Sequence, residues 1–328
     1  MRKMEKIKIA LLGLGTVGSG VKAILEEKEE VLRERLYGET GRNLSFEIVK
    51  ILIRNPEKYG HVDSSLLTTD YQEILEDDSI QVVVEAIGGE NPATDYMLRA
   101  MERKKHVVSA NKLAIAKSGG SLEKASKENH VAFFYEAAVA GTIPILRSIN
   151  DSLVANEITR ISGIINGTTN YILSKMTNEK SSYHDALKKA QELGFAEPDP
   201  ASDVNGSDAQ YKIAILSRLA FGEWPDLDSI PRQGITEVTP EQIEDARSRG
   251  KVIKFLARWE KADGKIIASV SPGEIDRHHP LAHVEGAMNA VYLHCDNAGE
   301  LLFQGAGAGS RPTGSAVISD LFAIAGKL

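Results

Sequence analysis

Short apolar runs alternate with amphipathic stretches through the first 140 residues. Ile7 and Ile9–Leu12 form a run that stops at Gly13, the pattern of a strand buried in a parallel sheet. Behind it Val17, Val21, Ile24, Leu25 and Leu32 fall on one side of a helix beginning near Thr16. That helix ends in a charged stretch from Glu26 to Arg35, read as a solvated face, and Gly38–Gly41 reads as a loop. Phe46–Ile53, Val82–Ala86, Val107–Val108 and Val131–Tyr135 read as further strands, and Pro92–Arg103 as a helix with proline in its first turn. Strands alternating with helices predict a doubly wound α/β domain.

The pattern changes in the second half. Ile158–Ile165 is strand-like, and Gly167-Thr168-Thr169-Asn170 opens a short helix. Ser182–Leu193 reads as a helix with Gly194 at its C-cap. From Glu197 to Gly206 two prolines and a glycine argue against regular structure; Ser207 or Asp208 then reads as an N-cap, with Ala209, Ile213, Leu216 and Ala220 at helical spacing. Thr239-Pro240-Glu241 starts another helix, and Ile253–Trp259, Ile266–Val270, Ala290–His294 and Leu301–Gln304 have strand character. This half predicts an α+β domain. Gly305–Gly309 and Pro312–Leu328 add a glycine loop and a last helix.

At 328 residues the chain suggests about two domains, and a hydrophobic content of 42% leaves ample core. A net charge of −7 with no basic cluster argues against nucleic-acid partners. Cys295 stands alone, which excludes an intrachain disulfide and suits a reducing cytoplasm. The charged start Met1–Lys6 precedes too short an apolar run for a leader, and no stretch approaches the ~20 apolar residues of a membrane span.

Candidate chemistry collects in a few places. Gly13-Leu14-Gly15-Thr16-Val17-Gly18 sits between strand and helix, the context of a dinucleotide loop: Gly13 for the tight turn, Gly15 for backbone approach to a pyrophosphate, Gly18 for helix–strand packing. Where an NAD-preferring domain ends its second strand with an acid, this chain has Arg54, with Lys58 close by. These are either two surface cations or a 2′-phosphate site. Ile87-Gly88 follows a strand as a second loop able to touch a cofactor, and Ser109 and Lys112 follow the next strand near the ligand crevice. Asp208 and Lys212 share a helix face, preceded by Glu197 and Asp203; spacing alone reads as an ordinary helical ion pair. Glu136–Pro144, rich in Ala and Gly, reads from its residues as a tight interdomain turn. His278, His279 and His283 surround Pro280 without helical spacing or a partnering cysteine, and read as a surface loop.

Taken together these segments resemble the homoserine dehydrogenases. The acid, the Pro/Asp-rich loop, Gly206-Ser207-Asp208 and Lys212 carry the resemblance, with the N-terminal glycine loop, Ser109–Lys112, Glu136–Gly141, Asn166–Tyr171, and Gly305–Gly309 with Pro312-Thr313. In order and spacing they cover nearly the whole chain. The resemblance implies a Rossmann-like domain over residues 1–140 with 305–328, Gly307 returning to the cofactor, and a substrate-binding and dimerisation domain over 141–304. It implies NAD(P)-dependent interconversion of L-homoserine and L-aspartate 4-semialdehyde, with NADP favoured over NAD by Arg54, and a homodimer. It also implies a Na⁺ or K⁺ site on Glu136 and the carbonyls of Val139, Gly141 and Ile143. The match is to a short form: the chain stops soon after the terminal glycine loop, so no C-terminal regulatory domain and no inhibition by threonine through a dedicated site are expected.

Oxidising an alcohol with a nicotinamide needs positioning and one proton acceptor. No histidine stands in the matched motifs, but Lys112 and Lys212 do. A free lysine, with a pKa of about 10.4, is a poor base at neutral pH; burial and a neighbouring cation lower it. Lys212 is assigned proton transfer and Lys112 the orienting charge, and the two roles are exchangeable. Glu197 and Asp208 would take the substrate ammonium, Thr168 and Gly167 line the substrate, and Asp203 hold Lys212. A semialdehyde dehydrogenase, the alternative enzyme, needs a cysteine nucleophile, and Cys295 has no helix start behind it. A non-catalytic NAD(P) sensor would not need the acid–lysine cluster.

Overall fold

Six parallel strands form the first of two sheets: β1 (Glu5–Leu12), β2 (Leu44–Leu52), β3 (Leu67–Thr68), β4 (Val82–Glu85), β5 (His106–Ser109) and β6 (Phe133–Phe134), in the order β3-β2-β1-β4-β5-β6. The computed structural model describes residues 4–262 and 265–328, so the first residues of the charged start, Met1–Lys3, lie outside the described residues. By contacts the chain divides into Met1–Ala138 with Gly309–Leu328, and Val139–Ala308.

Successive residues of a strand face opposite sides. Ile7, Ile9 and Leu11 therefore join Val82, Val84 and Val108 in one core with Val21, Leu25, Val317, Leu321 and Ile324. Ala10 and Leu12 join Val83 and Val107 in a second, with Ile74, Leu75, Met97, Met101 and Leu122. Helices Thr16–Glu27 and Ser310–Ala325 thus cover one face, and Tyr71–Glu76, Ala93–Glu102 and Lys112–Asn129 the other. Each fully buried leucine contributes roughly 1.5–3 kcal/mol. The first two helices cross closely: a Cβ on Gly20 would lie 2.0 Å from the Ser310 carbonyl oxygen.

Two expectations for this unit change. The first helix breaks at Lys28 and restarts as Glu29–Thr40, which buries Leu36 despite its charged surroundings. Gly38 is helical rather than part of a loop, and the helix ends at Gly41, whose φ of 67° is the left-handed cap glycine adopts most easily.

The second unit holds β7 (Ile158–Ile164), β8 (Lys251–Ala262), β9 (Lys265–Asp276), β10 (Met288–Cys295) and β11 (Gly299–Ala306), antiparallel in the order β11-β10-β7-β8-β9. Helix Ser207–Phe221 packs on it through Phe221 against the buried Trp259. The sheet carries Gly305 and Ala306 in β11, so this unit extends to Ala308.

The Pro-rich segment also departs from expectation. Ala201–Val204 is a helical turn starting after Pro200, where proline's fixed φ and missing N–H cost nothing. The N-cap of the next helix is Gly206 (φ 89°), not Ser207 or Asp208. That placement releases the Asp208 side chain from capping and turns it inward. The Thr239 cap does form, as a reciprocal capping box with Gln242. Among the described residues no helix is long and apolar enough to cross a membrane.

Candidate active site

In the first unit the three glycines of the loop differ in their surroundings. Gly13 has φ 95°, and a Cβ there would lie 2.9 Å from both the Ala86 oxygen and Ile87 Cγ2. Gly15 caps helix Thr16–Glu27 and has open space around it. A Cβ on Gly18 would sit 2.1 Å from the Gly13 oxygen, so the helix can approach the turn only as glycine. No acid occupies the first turn, which includes Thr16 and Val17, leaving its N–H groups suited to an anion.

Beside this loop opens a cavity of about 520 Å³ lined by Gly13, Leu14, Gly15, Arg54, Lys58, Tyr59, Ile87 and Tyr96. Its size and mixed lining suit a small organic ligand. Arg54 follows β2 and is exposed; Lys58 stands on the turn Pro56–Tyr59, which Asn55 caps by accepting from the Glu57 N–H at 3.0 Å. The site thus brings together the glycine loop, both cations and Ile87.

Glu85, which the sequence pattern does not single out, ends β4 fully buried. It accepts from the N–H groups of Ile87 (2.9 Å) and Gly88 (3.3 Å), from Ser109 Oγ (2.6 Å) and from Asn111 Nδ2 (3.4 Å). Burial pushes its pKa up, and these donors oppose the shift. Asn111 caps helix Lys112–Asn129 by accepting from the Ala114 N–H at 3.1 Å, so Lys112 stands half-buried on the first helical residue.

In the second unit the acid–lysine segment folds onto Asn166. Lys212 Nζ donates to Asp208 Oδ2 at 2.7 Å and to the Ile165 oxygen at 2.8 Å, and both side chains are buried. Asn166 Nδ2 donates to Asp208 (2.9 Å) and Asp203 (2.8 Å), while its Oδ1 caps helix Gly167–Glu179 through the Thr169 N–H at 2.9 Å. The Thr168 hydroxyl lies 3.0 Å from Asp203 and 2.7 Å from the Phe195 oxygen. Holding Lys212 therefore falls to Asp208 and Ile165, whereas Asp203 orders Asn166 and Thr168. The pair is no ordinary surface ion pair, because both charges have left water and depend on each other. Gly167 has a packing role: a Cβ there would meet the Ala287 oxygen at 2.8 Å. Glu197 is exposed on the same unit and makes no hydrogen bond or ion pair through its carboxylate among the described residues.

Glu136 is buried in a one-turn helix, and its N–H donates to Asp320 at 2.9 Å. In the second unit Ala140 and Gly141 adopt φ of 55° and 58°, which re-aims successive carbonyls between Val139 and Ile143. Gly141 packs on Gly307, and Gly307 on the buried amide of Asn289. Among the described residues no group of three His, Cys, Asp or Glu could hold a metal. His279 instead caps the turn Pro280–His283 and accepts from the Leu281 N–H at 3.1 Å. Cys295 is buried at the end of β10, and burial with Asp296 nearby raises its thiol pKa, the opposite of an activated nucleophile.

A family model described as "Homoserine dehydrogenase, NAD binding domain" matches residues 13–136, and one described as "Homoserine dehydrogenase" matches 144–322. The homoserine dehydrogenase of Bacillus subtilis is 43% identical over 98% of this chain, which spans 73% of that relative. The structure of a homoserine dehydrogenase from Thiobacillus denitrificans superposes with a TM-score of 0.94 at 39% identity, over 99% of this chain and 74% of that one. A hyperthermophilic archaeal homoserine dehydrogenase in complex with NADPH matches with a TM-score of 0.83 at 28% identity, over 99% of each chain.

Proposed function

The chain belongs to the homoserine dehydrogenase family, and on that premise we propose how its residues divide the work of the reaction. The reaction is the NAD(P)-dependent interconversion of L-homoserine and L-aspartate 4-semialdehyde. The nicotinamide, when bound, supplies or accepts the hydride. Lys212 handles the proton: its ammonium gives a proton to the aldehyde oxygen in reduction, and its amine takes one from the hydroxyl in oxidation. The observation that carries this role is the buried Lys212–Asp208 pair, 2.7 Å long and tied through Asn166 to Asp203. Lys112, on the first turn of its helix, supplies the orienting charge.

Glu197 and Asp208 receive the substrate ammonium, Asp208 sharing its carboxylate with Lys212, and Asp203 with Thr168 and Gly167 shapes the wall beside it. Glu197→Gln tests this. KM for homoserine is expected to rise about tenfold, near 1.4 kcal/mol of lost binding, with kcat close to wild type because the contact is the same in ground and transition states. An unchanged KM removes Glu197 from the substrate site.

NADP(H) is the favoured cofactor. Its phosphates lie along Gly13–Gly18, with Ile87, Gly88, Ser109 and Gly307 as further contacts. Arg54 meets the 2′-phosphate with charge-assisted bonds, and Lys58 adds a second charge. NADPH is expected to bind about ten- to a hundredfold more tightly than NADH, with the gap narrowing at high salt. In titrations without substrate, Arg54→Ala should erase most of that difference and leave NADH binding nearly unchanged. Equal affinities in the wild type contradict the assignment.

Three further features complete the reading. Glu136 and the carbonyls of Val139, Gly141 and Ile143 supply hard oxygen donors of the kind a Na⁺ or K⁺ ion takes; calorimetry with either chloride tests this. The β10–β11 side of the second sheet exposes Leu302 (41%), and Ile267 on β9 is 58% exposed, which supports pairing of two copies into a homodimer, measurable by sedimentation. A lone buried cysteine suits the cytoplasm, testable by fractionation.

A further inference from the structure

Glu85 is the one fully buried carboxylate at the ligand-facing end of the first sheet among the described residues, and the mechanism above does not use it. It ends β4, which lies between β1 and β5, beside the point where the strand order reverses and open α/β sheets bind ligands. Its two oxygens serve different loops. Oε1 accepts from Ile87 N–H at 2.9 Å and Gly88 N–H at 3.3 Å, both in the loop after β4. Oε2 takes the Ser109 hydroxyl at 2.6 Å, in the loop after β5. Ser109 Oγ in turn accepts the Asn111 N–H at 3.0 Å, and Asn111 Nδ2 returns to the Gly89 oxygen at 2.6 Å. The glycine loop after β1 rests on this assembly through the close approach of Gly13 to Ala86 and Ile87.

A buried carboxylate with only hydrogen bonds for compensation is an expensive way to close a sheet end, since an apolar side chain would do so without desolvating a charge. The arrangement makes sense if the loops themselves must be held. The backbone and amide N–H groups at Oε1 can only donate, so they demand an acceptor there. A change at Glu85 reaches Lys112 through Asn111, whose side chain caps the helix beginning at that lysine.

We propose that Glu85 is a positioning residue of the dinucleotide crevice, fixing the Ile87–Gly88 loop toward the cofactor and, through Ser109 and Asn111, the helix start that carries Lys112. The proposal rests on the reading of this crevice as the NAD(P) site.

The test uses the full chain carrying Glu85→Gln, Glu85→Ala or Ser109→Ala. It reads the NADPH dissociation constant by titration without substrate, the melting temperature, and kcat and KM for L-aspartate 4-semialdehyde. Glu85→Gln keeps an acceptor at Oε1 and should bind NADPH within about threefold of wild type. Glu85→Ala should weaken NADPH binding about tenfold or more. Ser109→Ala releases the second loop together with one of the cofactor contacts, so kcat/KM should fall about tenfold or more. Should Glu85→Ala fail to fold, the Gln and Ser109 variants still decide. Wild-type NADPH affinity in folded Glu85→Ala, or wild-type kinetics in Ser109→Ala, overturns the proposal, because a merely structural role lowers melting temperature without moving either constant. A wild type that binds no NADPH overturns the crevice reading itself.

Discussion

Replacing Lys212 by alanine is expected to lower kcat about 10²–10⁴-fold, the usual range for removing a general acid or base, with NADPH affinity nearly unchanged. The substitution also removes a charge from beside a buried carboxylate. Asp208 is only 3% exposed and would keep Asn166 but lose the Lys212 ammonium at 2.7 Å. At pH 7 it could escape by taking up a proton, at a cost near 4 kcal/mol for about three pH units. Reduced activity in the single variant could therefore reflect a weakened fold. The double variant Asp208→Asn with Lys212→Met separates the two causes. Replacing both charges of a buried pair by neutral groups of similar volume is often close to neutral for stability. The double variant should therefore melt near the wild type while its kcat stays at the level of Lys212→Ala. Activity that recovers along with stability assigns proton transfer elsewhere.

The second large effect is on stability. Asp208→Ala leaves the Lys212 ammonium buried with the Ile165 carbonyl at 2.8 Å as a remaining acceptor. Breaking one side of a buried pair costs about 3–5 kcal/mol. The lysine limits that loss by giving up its proton, which at pH 7 costs between 4 and 5 kcal/mol for a group of pKa about 10.4. For a unit of this size a loss of that order lowers the melting temperature by roughly 6–20 °C. Asp208→Asn should lose less, because its amide oxygen still accepts from the lysine. A thermal melt of Asp208→Ala within about 2 °C of wild type would show that the pair does not support the second unit.

The parts of this molecule that were legible in the sequence are those whose physical requirement is local. Gly13–Gly18 lies within one strand–turn–helix, and the tight fit of Gly18 against the Gly13 oxygen is set inside that unit, so spacing reveals it. Asp208 and Lys212 are one helical turn apart, and their pairing follows from periodicity. Their burial does not, because it depends on Ile165 and Asn166, and the Asn166–Asp208 bond spans 42 residues. Glu85 was hidden for the same reason: within Val82–Glu85 it reads as the polar end of an apolar strand, and its Ser109 partner lies 24 residues on. The helical turn Ala201–Val204 was obscured by the prolines beside it, although Pro200 sits where a helix tolerates proline. Gly206 took the capping position because the chain reverses there with φ 89°, which Ser207 would adopt only under strain.

The central claim is that the buried Lys212–Asp208 unit moves the proton while the glycine-loop crevice holds the nucleotide. Its most direct test is single-turnover loss of NADPH absorbance on mixing with L-aspartate 4-semialdehyde, in wild type and in Asp208→Asn with Lys212→Met. The account predicts rapid loss in the wild type and at least a hundredfold slower loss in the double variant, with NADPH dissociation constants within about twofold of each other. NADPH oxidation at the wild-type rate by the double variant would contradict it.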